Sequence, residues 1–244
     1  MNTHVKTALI TGANKGIGFQ TAKELGRLGI KVLIGARDTA KGKAAVEKLK
    51  LEGINADYLA LDVNDSSSVE GAAQIIGSLP DGLDILVNNA GIMSTLDGVP
   101  SATDMSVVRE TFETNFFGAL LVTQKMLPAV KKAQAGRIVN VSSGLGSLAL
   151  NQDPEWEYPD TKLIGYNASK AALNMLTVQL AWELQESNIK VNAVNPNFTN
   201  TELLPDTSGG RPVEEAVREI VRLALLPESG PTGGFFEDGE PLPW

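Results

Sequence analysis

The 244-residue sequence has no cysteine and a single histidine. Without cysteine there are no disulfides, no thiolate zinc site and no cysteine nucleophile. The one histidine, His4, precedes the first apolar run and reads as a solvated terminal residue. Triads that need a histidine base and HExxH metal sites are thereby set aside, and no metal site is expected. Any proton chemistry must run on Tyr, Lys, Ser, Asp or Glu. Long apolar runs are missing too: no stretch approaches the roughly 20 uninterrupted residues that cross a bilayer. The start, MNTHVKTALITG, lacks the basic region, long apolar segment and small-residue cleavage site of a secretory signal. No membrane partner and a cytoplasmic location are expected. Positive charge is also in short supply: the net charge is −8, and Lys and Arg form no stripe that would follow a phosphate backbone. Nucleic acid is not an expected partner.

With 43 % hydrophobic and 20 % charged residues, the chain is long enough to bury a substantial core. Short β-branched runs alternate with helix-like segments, and their near-continuous apolar character suits strands covered on both faces. The predicted strands are 6–10, 31–35, 57–61, 84–88, 137–142, 190–195 and 234–237, the last followed by a proline-stiffened tail. The first intervening segment carries Ile17, Ala22, Leu25 and Leu28 near a helical period and stops at Gly29; the second ends at Gly53. Alternating βαβ units predict an α/β fold: one Rossmann-type, doubly wound parallel sheet of about seven strands with helices on both faces. No repeat or linker divides the chain, so residues 1–244 are expected to form one domain. Two irregular segments, 144–165 and 197–212, follow strands and should lie at the carboxyl edge of the sheet, where ligands bind in such folds.

The first strand runs into TGANKGIG, with Gly12, Gly16 and Gly18 in a loop that opens a helix. Glycines here supply a tight turn, close backbone approach to a pyrophosphate and helix–strand packing. Free amides and the helix N-terminus favour phosphate. Asn14 and Ile17 belong to the same loop. The second strand ends in Ala36 and Arg37 instead of an acid that would hold a ribose 2′-hydroxyl. Arg37, with Lys15 nearby, suits a 2′-phosphate and points to NADP rather than NAD. Asp38 is a competing feature: it can be read as the NAD acid displaced by one or two places.

A tyrosine is twice followed four residues on by a lysine, Tyr158 with Lys162 and Tyr166 with Lys170. Pro159 biases Tyr158 away from helical angles, so that pair reads as a loop. Tyr166 opens a run in which Leu173, Leu176, Leu180 and Leu184 keep a helical stripe, so Lys170 shares its face.

TGANKGIG, LDV at 61–63, NNAG at 88–91, Asn115, IVNVSS at 138–143 and YNASK at 166–170 stand in the order and strand context of a known family. The chain resembles the classical short-chain dehydrogenase/reductases, and its glycine loop with ARD is similar to that of their NADPH-dependent carbonyl reductases. The resemblance implies that Asp62 and Val63 border the adenine, that Asn89, Ala90 and Gly91 line the cofactor wall, and that Ser143, Tyr166, Lys170 and Asn115 form the catalytic set. In those roles the Lys170 cation would lower the Tyr166 pKa and hold the nicotinamide ribose. Ser143 would bond the substrate oxygen, and Asn115 would anchor a water relay. Ser142 competes with Ser143 for the serine role, and Asn115 could instead cap or break a helix; the family pattern selects Ser143. Tyr166 and Lys170 count among the cofactor contacts as well. The resemblance places further nicotinamide contacts near Pro196, Phe198 and Thr199.

Two departures matter. Asn197 stands where the family usually has glycine, a turn that asparagine tolerates. The segment 201–212, where the family places its substrate lid, is short, which suggests an open pocket. The expected activity is NADPH-dependent reduction of a ketone or aldehyde. Two alternatives stay open: an NAD(P)-dependent alcohol dehydrogenase working in the oxidising direction, and a non-catalytic NADP-binding sensor. A monomer, a dimer and a tetramer are all compatible with the sequence.

Overall fold

The computed structural model describes residues 4–203 and 209–244. Seven parallel strands are joined by helices: β1 (Thr7–Thr11), β2 (Lys31–Ala36), β3 (Ala56–Ala60), β4 (Ile85–Asn88), β5 (Arg137–Val141), β6 (Lys190–Val194) and β7 (Phe235–Glu237). An eighth, β8 (Glu240–Pro241), turns back antiparallel on β7, in what the sequence offers only as a proline-stiffened tail. The sheet order is β3-β2-β1-β4-β5-β6-β7-β8, so the winding reverses between β1 and β4. At that reversal, the loops leaving the carboxyl ends of β1 and β4 diverge and open a crevice.

Strand alternation divides the core into two layers. Ala8, Ile10, Val32, Ile34, Ile85 and Val87 face one layer, whereas Leu9, Leu33 and Leu86 face the other. The first layer is closed by α1 (Gly16–Arg27), α2 (Thr39–Leu51) and α8 (Val213–Ala224). The second is closed by α3 (Ser66–Gly77), α5 (Ala119–Lys132) and α7 (Ile164–Glu183). Helices on both faces explain why the strands read as unbroken apolar runs.

Between α4 (Met105–Phe112) and α5 the chain loosens into a π-helical turn, Glu113–Gly118, which contains Asn115. The segment 144–165 is less irregular than expected. It holds a 3₁₀ turn at Gly144–Gly146 and a short helix, α6 (Leu148–Gln152), whose N-terminus is capped by Ser147 Oγ accepting from the Leu150 amide at 3.1 Å. His4 is not simply solvated: its Nε2 lies 2.9 Å from Oδ1 of buried Asp84, which raises its pKa above the ordinary value. Leu28, read as part of the apolar face of α1, lies past the end of that helix and is exposed.

Candidate active site

The crevice at the winding reversal begins with the loop after β1. Gly12 and Gly16 have φ of +64° and +56°, and a Cβ on Gly12 would stand 3.0 Å from the Ala90 Cα. Only glycine gives the turn without strain and lets the β1 and β4 loops touch. Thr11, which the sequence reading did not single out, holds the two loops together. Its Oγ1 accepts from the amides of Asn89 and Ala90 at 3.0 and 2.9 Å. The Asn89 side chain returns a bond to Thr11 O at 2.8 Å.

The resulting cavity, about 390 Å³, is bordered by Gly12, Asn14, Lys15, Gly16 and Ile17 of the first loop. Arg37, Asp62, Val63, Asn89, Ala90 and Gly91 continue its wall, and Tyr166, Lys170 and Pro196 close it. Gly18 is not on the wall but beneath it: a Cβ there would meet the Asn89 Nδ2 at 2.5 Å. Residues of the cavity that sequence reasoning missed include Asn64, Thr114 and Glu202. They belong to no contiguous motif and reach the wall only through the chain's folding.

The charges of this cavity are unequally engaged. Lys15 Nζ is 2.7 Å from Glu202 Oε2, a partner that lies 187 residues away in sequence. Arg37 is exposed, and among the described residues no hydrogen bond or ion pair holds it. Asp38 is otherwise occupied: its Oδ1 caps α2 by accepting from the Lys41 amide at 3.0 Å, which lowers its pKa. The acid that competed with Arg37 in the sequence is therefore a helix cap.

A second cavity, about 340 Å³, adjoins the first and is bordered by Ser143, Leu145, Trp156, Tyr158, Leu163 and Phe198. Phe198 and Thr199 lie along this cavity rather than the first; Pro196 borders both. Of the expected lid, Thr201 and Leu203 border both cavities, whereas 204–208 lie outside the described residues. Asn197 has φ of +56°, the left-handed turn expected of a glycine substitute.

Tyr166 stands at the junction and borders both cavities. It is placed by the first turn of α7, whose amides at Gly165 and Tyr166 donate to Asp97 at 3.1 and 2.8 Å. Asp97 was not legible as a site residue, because it lies 69 residues upstream of the tyrosine it holds. One helical turn on, Lys170 Nζ donates to Val141 O at 2.8 Å and lies 5.6 Å from the centre of the Tyr166 ring. Asn115 brings the π-turn to the same place. Its Oδ1 accepts from the Ile92 amide, and its Nδ2 donates to Ile92 O and Ser169 Oγ. A Cβ on Gly91 would sit 3.3 Å from Asn115 Oδ1 and 3.5 Å from Lys170 Nζ, so these groups converge on that glycine. Both amide protons of Asn115 are occupied, which leaves Oδ1 with one free lone pair.

The two serines separate cleanly. Ser142 is buried, and its hydroxyl donates to Asn174 Oδ1 of α7. Ser143 Oγ accepts from the Leu145 amide at 3.2 Å and faces the second cavity beside Tyr166. Electrostatics differ from the expectation. Burial pushes the Tyr166 phenol up to about 12, and a hydrogen bond with Ser143 opposes this only in part. Burial also brings Lys170 down to about 8. Desolvation, which disfavours each charged form, is the largest cause of both shifts. Tyr158 is in a loop, not a helix, and Lys162 turns away from it to bond Asn151 O at 2.9 Å.

A glycine cradle, two cations and a tyrosine–lysine turn fit a phosphorylated dinucleotide in the first cavity and a small reactant in the second. Among the described residues no helix is long and apolar enough to cross a membrane, and no acidic or histidine cluster could hold a metal ion. Comparisons with known proteins agree with the geometry. The chain is 33 % identical to carbonyl reductase [NADPH] 3 of Mus musculus over an alignment of 285 positions that covers 100 % of both chains. That alignment is longer than this chain, so the mouse protein carries insertions absent here. Short-chain dehydrogenase anuI of Penicillium roqueforti is 38 % identical over 223 residues, with 88 % of this chain and 87 % of that protein covered. The crystal structure of NADPH-bound carbonyl reductase from chicken fatty liver superposes with a TM-score of 0.84 at 30 % identity, over 99 % of this chain and 100 % of the other. Residues 6–211 match the family described as short chain dehydrogenase, and the chain belongs to that family.

Proposed function

We propose that this protein is an NADPH-dependent reductase of ketones or aldehydes, with residues up to about 140 holding the cofactor and the rest supplying the acid and the substrate cavity. The observation that carries this reading is the position of Tyr166. It borders both cavities, with Lys170 on the cofactor side and Ser143 on the other. Carbonyl reductases with NADPH among the relatives support the same assignment.

When bound, NADPH supplies the hydride, and the residues here bind, orient and protonate. The loop amides from Gly12 to Gly18 and the N-terminus of α1 receive the pyrophosphate. Arg37 and Lys15 take the 2′-phosphate, with Arg37 able to do so in a bidentate fork. Asp62 and Val63 border the adenine end, and the wall of Asn89, Ala90 and Gly91 leads toward Lys170. Ser143 donates to the carbonyl oxygen as negative charge builds on it, and Tyr166 Oη delivers the proton. A phenol held near 12 is protonated throughout the neutral range, the form from which Tyr166 gives its proton in reduction. Lys170 and Asn115 hold the junction at Gly91.

The test is to follow NADPH and NADH consumption by near-ultraviolet absorbance with aryl ketones, α-keto esters, quinones and aldehydes. Turnover with a carbonyl and a clear NADPH preference is the expected result. Equal rates with the two cofactors would overturn the role given to Arg37. No turnover with any carbonyl would leave a nucleotide-binding sensor as the better reading.

A further inference from the structure

The substrate cavity has a feature that the catalytic set does not explain. Among its described lining residues there is no Asp, Glu, Lys or Arg, yet a chain of polar groups runs behind one wall. Tyr158 Oη donates to Asn197 Oδ1 at 3.0 Å, and Asn197 Nδ2 donates to Glu237 Oε1 of β7. Asn195 Nδ2 donates to the other carboxylate oxygen of Glu237 at 2.8 Å, and Asn195 Oδ1 accepts from the Asn197 amide at 3.1 Å.

The directions follow from chemistry. An ionised carboxylate only accepts, so both asparagines must present their NH₂ groups to Glu237. The Asn197 Oδ1 then has to face Tyr158, and the phenol has to be the donor. Burial, aided by a hydrogen bond with the Glu157 carboxylate and by the Glu237 charge, pushes the Tyr158 pKa up to about 12, so the phenol keeps its proton. The ring that results is not free to turn. Trp156 packs against it edge to face, with centroids 5.5 Å apart and planes at 84°. The indole in turn lies over the residue after Ser143: a Cβ on Gly144 would stand 2.9 Å from Trp156 Cζ2.

We propose that Tyr158, tethered through Asn197 to Glu237, is a specificity-determining residue: with Trp156 it forms an aromatic wall that selects neutral carbonyl compounds carrying a planar ring. This deepens the carbonyl-reducing reading above and rests on it. Asn195, Asn197 and Ser142 are already paired, Ser143 and Tyr166 are taken by the carbonyl oxygen, and the lining carries no charged side chain to compensate an anionic or cationic substrate for its desolvation. A flat ring instead gains aromatic contact. Asn197 and Glu237 act through Tyr158 and are positioning residues. The left-handed backbone at Asn197 is what lets one residue both make the turn and hold the ring.

The test compares α-tetralone, whose fused ring is planar, with its saturated counterpart α-decalone, using NADPH and the full-length protein. The wild type is expected to prefer α-tetralone in kcat/KM. Tyr158→Ala, which removes the ring, and Asn197→Gly, which removes only its tether, should each lower that preference roughly tenfold while NADPH affinity stays as it was. Tyr158→Phe, which keeps the ring and loses the bond, serves where Asn197→Gly does not fold. An unchanged preference in the folded variants would overturn the proposal. Should the wild type reduce neither ketone, the functional reading is judged on the wider carbonyl panel, and calorimetric titration of both ketones onto the NADP-loaded protein decides the wall by itself. Tighter α-tetralone binding that disappears in Tyr158→Ala supports it, and equal binding of the two ketones overturns it.

Discussion

The cavity beneath the glycine loop is walled by backbone and by charged side chains, Lys15, Arg37, Asp62, Lys170 and Glu202. Its neighbour beyond Tyr166 has apolar and neutral walls made of side chains from 142–166 and 195–203, joined by Ile17 and Met93. The first suits a partner whose charges and shape never change, so its donors can be fixed in the backbone. The second sorts reactants by fit, so its character resides in side chains. Damage to the first cavity should therefore weaken every reaction alike, whereas damage to the second should favour one reactant over another.

Tyr166→Phe is the most severe way to break this division, because Tyr166 belongs to both sides. Turnover should fall about a thousandfold with every carbonyl. NADPH affinity, read by nicotinamide fluorescence, should hardly move. Arg37→Ala strikes the charged side only. A charge-assisted bond worth about 1.5–3 kcal/mol predicts NADPH dissociation constants roughly 10–100-fold weaker, with NADH binding unchanged and relative rates among carbonyls preserved. Acidity gives a third handle. Lys170, brought down to about 8 by burial, carries its charge below that pH and loses it above. If the ammonium is needed, kcat/KM for reduction should hold through neutral pH and fall roughly tenfold per pH unit above about 8. A flat profile to pH 10 or so would remove Lys170 from the free enzyme's essential groups. The smallest effect concerns Glu202, whose exposed carboxylate engages Lys15. Glu202→Gln should release that cation and tighten NADPH binding about two- to threefold at low salt, an advantage that vanishes as salt screens it.

The same contrast governs what was legible in the sequence. The strands were readable because helices cover both faces and leave unbroken apolar runs. Gly12, Arg37 and Asn89 were readable because the loops that carry them are contiguous and their residue types answer a constant ligand. Tyr166 was separable from Tyr158 because Pro159 denies the second tyrosine a helix. Asp97, Thr11 and Glu202 were invisible, since each acts on residues more than 60 positions away. The upward push on the Tyr166 phenol was not legible for a related reason: charge spacing is written locally, but burial is a property of the folded whole. Asp38 illustrates the reverse, a residue whose local job as a cap was open to reading and was overshadowed by a more distant one.

The short return strand β8 has a consequence outside catalysis. It covers the edge that β7 would otherwise expose, and it is itself only two residues long, a glutamate and a proline. A neighbouring chain seeking to lengthen the sheet on this side meets a negative charge and a position with no amide hydrogen. A charge and a missing donor thereby disfavour strand addition at that margin.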